Sequence, residues 1–107
     1  MDDKLNHTFF PDLSLTIETI PTESIVSRTI FKDGQLKVIV FAFDSGQELS
    51  KHTASVPAMI QILEGECDLT VGEAAYSGKP GTWVHMDANL PHSLLARTPV
   101  KMLLIML

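Results

Sequence analysis

One cysteine, one tryptophan, one tyrosine and eight basic residues are all that this chain of 107 holds of those types, and each shortage excludes something. With Cys67 alone, no internal disulfide can form. The opening Met1-Asp2-Asp3-Lys4 has no apolar h-region of the kind that directs secretion, so a reducing cytoplasm is the expected location. Eight Lys and Arg against thirteen Asp and Glu leave a formal charge of −5, which repels a phosphate backbone, and nucleic acid is not an expected partner. The longest strongly apolar run, Met102 to Leu107, falls far short of the ~20 residues of a membrane-spanning helix. No membrane association is expected. What is present is ordinary globular composition, 45% hydrophobic and 20% charged, in a length that suits one domain with one core.

The pattern along the chain is that of short strands. From Ser24 onward, runs rich in Val, Ile, Thr, Phe and Leu alternate with turn residues, the signature of a β-sandwich or barrel, and no convincing helix interrupts them. Thr22 to Lys32 ends at Asp33-Gly34, a dipeptide suited to a two-residue hairpin because it tolerates positive φ. Gln35 to Asp44 then returns, with Leu36, Val38, Val40 and Ala42 on one face and Ile39, Phe41 and Phe43 on the other. Apolar on both faces, it is expected to lie between two packed layers. Glu48 to His52, Ala58 to Leu63, Cys67 to Val71, a short run at Tyr76, Thr82 to Met86, His92 to Ala96 and Val100 to Leu107 complete eight or nine strands. Residues 1–21 are too apolar for a free tail, yet Pro11 and Pro21 prevent a long element. They are expected to form an arm that packs on the barrel of residues 22–107 or reaches a second subunit.

Gly46 to Ala96 resembles the paired motifs of the cupin superfamily. Gly46, His52 and Gly65 fall at the glycine, first-histidine and closing-glycine positions of the first motif. Gly81 and His92 match the second, and the phrases Ile62-Leu63-Glu64-Gly65-Glu66 and Asn89-Leu90-Pro91-His92 strengthen the match. The departures are equally specific: Ala54 stands at the second histidine, Ala58 at the glutamate, and Asp87, Asn89 and Ala96 at the proline, second glycine and asparagine of the second motif. The resemblance implies an all-β fold, a single cupin-type jelly-roll β-barrel. It also implies a site inside that barrel, which in cupins with the full motif holds one divalent iron, manganese, nickel, copper or zinc ion on three histidines and a glutamate. Fold alone does not fix chemistry.

Of those four ligands only His52 and His92 remain, and two neutral imidazoles offset little of a metal's charge. Gln61 is the nearest added donor for a metal site with His52 and His92, although strand parity turns it away if Ala58, Ile60 and Ile62 point inward. His85, beside Trp83, is expected on the outer face, with Val84 and Met86 filling the barrel. The expected ligand pocket is lined by His52, His92, Ala54, Ala58, Ile60 and Met86. Two main functions follow: a metal-dependent enzyme on a small metabolite, or a non-enzymatic binding or sensing protein that holds a small, partly apolar ligand without metal. Metal-free acid–base catalysis by the two imidazoles ranks third, because Tyr76 is the only tyrosine to assist them. Cys67 reads as a small buried hydrophobe. Apolar surface on both faces of Gln35 to Asp44 and of Val100 to Leu107 favours a homodimer.

Overall fold

Each apolar run becomes a strand, and each turn residue cluster a connection, in the computed structural model, which describes residues 6–107. The strands are β1 (Ile25–Lys32), β2 (Lys37–Phe43), β3 (Glu48–His52), β4 (Ala58–Glu64), β5 (Cys67–Val71), β6 (Ala74–Gly78), β7 (Trp83–Met86), β8 (His92–Ala96) and β9 (Val100–Met106). They form two antiparallel sheets, one in the order β1-β2-β9-β4-β7 and the other β3-β8-β5-β6, the arrangement of a jelly roll. Hydrogen bonding does not run continuously from one sheet to the other among the described residues. The barrel is therefore held by packing between two sheets whose edges are β1, β7, β3 and β6. No helix of the described residues is long and apolar enough to cross a membrane.

Two local expectations change. The Asp33-Gly34 turn is not a two-residue hairpin: Lys32 pairs with Lys37, leaving four residues in the loop. Asp33 Oδ1 accepts from the backbone N–H groups of Gln35 and Leu36 at 2.8 and 2.7 Å. This side-chain turn supplies the reversal by hydrogen bonding. The second change is a single 3-10 turn at Leu13–Thr16, capped by Asp12, whose side chain accepts from the Ser14 N–H.

The core lies between the sheets. Phe43, Ile62, Met86, Leu94, Met102 and Val100 are almost wholly buried there, each contributing about 1.5–3 kcal/mol through removal from water. Cys67 belongs to the same cluster. Burial, with Asp68 adding to it, pushes its thiol up from the usual range, against a smaller opposing pull from the Gly78 backbone. It is thus kept as a neutral, unreactive thiol.

Val40 and Ala42 have no exposed surface, yet they alternate with Phe41 and Phe43 and so face away from this core. The layer over them is the chain's own N-terminal segment. Lys101 of β9, paired with Ala42, reaches out from the sheet and donates from Nζ to the Ser14 carbonyl at 2.7 Å. Arg28 donates to the Thr16 carbonyl at 3.2 Å. The double-sided burial expected for the second strand is thus achieved within one chain. Residues 1–5 of the expected arm lie outside the described residues.

Candidate functional site

His92 opens β8, and the alternation of that strand buries His92, Leu94 and Ala96 while Leu95 is exposed. His92 therefore faces inward. Its neighbour β3 is an edge strand in which Leu49 stands opposite Leu94. In a regular ladder the residue opposite His92 would be Lys51, and His52 would turn outward. The register instead shifts between Leu49 and His52, so that His52 stands opposite His92. One extra residue in an edge strand re-aims the side chain that follows it, as β-bulges do.

The two rings meet edge to face, with centroids 4.2 Å apart and planes at 61°. Each is held by the carbonyl two residues before it. His52 Nδ1 lies 2.8 Å from the Ser50 oxygen and His92 Nδ1 lies 2.9 Å from the Leu90 oxygen. A carbonyl only accepts, so Nδ1 carries the hydrogen in both rings, and in the neutral form the free lone pair is on Nε2. His92 is 6% exposed, whereas His52 is open to solvent. The pair has one dry member and one wet member.

The loops around the pair are tied to each other. Asn89, at a φ of 68°, donates its N–H to the Ala54 carbonyl at 2.7 Å, and Gly72 donates to the Pro91 carbonyl at 2.7 Å. Ala54 thus belongs to the wall of the same end of the molecule. Ala58, Ile60 and Met86 are 2, 3 and 1% exposed and packed in the core cluster, with Ala58 opposite Met86 and Met106. They close the interior under the site.

Gln61 is not brought to the imidazoles. It is exposed, opposite Trp83 and Leu103, on the face of β4 away from Ala58, Ile60 and Ile62. His85 is likewise exposed, opposite Met59. Among the described residues there is no group of three or more His, Cys, Asp or Glu side chains able to hold a metal. Ser93 follows His92 on the strand and so faces the other way, giving the pair no adjacent nucleophile.

Sequence reasoning missed two features. The shift in β3 has no glycine or proline to announce it. A cavity of about 520 Å³ lies at the edges of β6 and β7 and includes neither His52 nor His92 among its lining residues; Tyr76 and Trp83, both heavily exposed, are its only trace in the sequence.

Comparison with known proteins agrees with this architecture. Residues 39–106 match the cupin domain family. A solved structure of a conserved protein of unknown function from Streptococcus pyogenes is 32% identical, over 96% of this chain and 90% of that one, with a TM-score of 0.81. A cupin superfamily protein from Desulfitobacterium hafniense is 20% identical, over 97% of both chains, with a TM-score of 0.84. A DMSP lyase from Ruegeria pomeroyi is 19% identical, over 77% of this chain and 46% of that one, with a TM-score of 0.70; the last two likenesses are of fold alone. No curated protein matches the chain.

Proposed function

This chain belongs to the cupin family, and on that premise we propose that it binds a small, partly apolar organic molecule, held through a hydroxyl or carboxyl group by Nε2 of His52 and His92. The observation that carries this reading is the direct cross-strand pairing of two imidazoles whose Nδ1 atoms are already committed to backbone carbonyls. Orientation is set before a ligand arrives, so little ordering is left to oppose binding.

The donor set does not fit the metal centre of cupins with the full motif. Ala54 and Ala58 offer only methyl groups, Gln61 faces away, and among the described residues no carboxylate joins the imidazoles to offset a divalent charge. A divalent iron, manganese, nickel, copper or zinc ion is nevertheless the second reading, and one observation favours it. Rings that donate Nδ1–H to a carbonyl have the outer-shell support usual for metal-bound histidines.

Thermal-shift screening of the purified protein against a metabolite panel, with and without a chelator, separates the two. A metal-free ligand is expected to stabilise the chain, by about 2.7 kcal/mol at a hundred-fold excess over Kd, and His52→Ala or His92→Ala should each remove the effect. Stabilisation by transition metals alone, or stoichiometric metal in the protein as purified, would replace this reading with the second.

A homodimer is the proposed assembly in a cytoplasmic setting. Phe9 and Leu15, on the N-terminal segment, are 76 and 58% exposed, which is costly for side chains of their size. Light scattering at micromolar concentration is expected to give about twice the 11.8 kDa of one chain, and the mass of a single chain would contradict it.

A further inference from the structure

We propose that the free edges of β6 and β7 bound a further binding slot, adjoining the imidazole pair, that takes an uncharged planar aromatic molecule of one or two rings; Val71 on its floor stands opposite His92, while neither His52 nor His92 lines it. The cavity of about 520 Å³ is in the size range of pockets that enclose small organic ligands. Its floor is apolar, made by Leu69 and Val71 of β5 and Val84 of β7. Tyr76 stands over that floor from β6, opposite Leu69 and on the same face, while Trp83, which alternates with Val84 and shares the outer face with Gln61, borders the rim from the edge of β7. Both residues are 57% exposed, and neither ring packs against another aromatic ring among the described residues. One exposed ring over an apolar floor, with a second at the rim, favours a flat partner, met by offset or edge-to-face stacking.

The border sets the rest of the chemistry. Ser77, Thr82 and His85 complete the lining, and no Lys, Arg, Asp or Glu is part of it. A ligand carrying a full charge would leave water without an opposite charge to meet it. The Tyr76 hydroxyl and the Trp83 N–H can hydrogen-bond to a heteroatom on a ring. The last strand of its sheet, β7, adds an unpaired backbone edge along the same wall. Neutral, flat and able to hydrogen-bond at its edge is the class that satisfies all of these.

Trp83 is the only tryptophan, so its indole Nε1–H signal in a spectrum of the ¹⁵N-labelled full chain reports on the slot directly. Titration with indole is expected to move that signal saturably, and benzoate, which is flat but anionic, should bind at least about ten-fold more weakly. Tyr76→Ala should weaken indole by about ten-fold, while His52→Ala leaves the titration unchanged, separating this slot from the imidazole site. Should Tyr76→Ala disturb the backbone amide spectrum of β6, Tyr76→Leu keeps bulk without the aromatic face and is expected to weaken binding in the same direction. A Trp83 signal unmoved up to the solubility limit of indole overturns the proposal. So do an equal response to benzoate, full retention in both Tyr76 variants, or movement driven by protein concentration alone, which would mean that a second copy fills the slot.

Discussion

Gly65→Ala is expected to cost on the order of 3–5 kcal/mol and to lower Tm by more than about 12 °C. Gly65 carries the chain from β4 in one sheet to β5 in the other at a φ of +85°. A Cβ there would be driven into the Pro99 carbonyl oxygen and would lie 3.0 Å from Thr98 Oγ1. Backbone on the far side leaves no flexible end to yield. The two turns are moreover sewn together. Glu66 N–H donates to Thr98 Oγ1 at 2.9 Å, and the Glu66 carbonyl accepts from Arg97 and Thr98 at 2.9 and 3.3 Å. Relief by pushing the turns apart would strain all three bonds. Gly46→Ala is the control, because Gly46 has nearly the same φ, +84°, with nothing within 4 Å of its added carbon. It isolates the left-handed backbone penalty, about 1–2 kcal/mol. Calorimetry giving equal losses for the two variants would show that turn packing contributes nothing.

Exchanging two neighbours, by Lys51→His combined with His52→Lys, is expected to abolish the imidazole pair although the composition of β3 is unchanged. Position 51 falls within the shifted register and has no partner on β8, whereas position 52 stands opposite His92. The inter-ring nuclear Overhauser effect should vanish, and any ligand-induced stabilisation should fall to the level of His52→Ala. Stability itself should change by less than about 0.5 kcal/mol, because Ser50, Lys51 and His52 are all exposed. Deleting Lys51 is the counterpart. It removes the extra residue, leaves position 52 two steps from Leu49, and is expected to retain the pair in a regular ladder. An exchange variant that kept the inter-ring contact would show that the shift does not aim His52.

These two predictions concern different kinds of information in the chain. The strands were legible because alternation and turn residues act over a few positions: the double-sided apolar run through Val40 and Phe41 announced a strand covered on both sides, and Ile62-Leu63-Glu64-Gly65-Glu66 announced the end of a strand at a motif glycine. The parity that turned Gln61 away from Ile60 and Ile62 was equally local. What covers Val40 was not, since the run shows only that a second layer must exist. The structure supplies that layer from residues around Ser14, through a bond with a lysine 87 positions later. The loop after Lys32 was misread because Asp33 reverses the chain with its carboxylate, without positive φ at Gly34. The shift that brings His52 opposite His92 was invisible for another reason. Bulges arise where two strands are matched to one another, and no residue of β3 alone records the count on β8.

The bond from Lys101 to Ser14 also orders events in time. β9 follows every other described strand, so the bond to Ser14, unlike that from Arg28 of β1 to Thr16, can close only once the last strand has paired with β2.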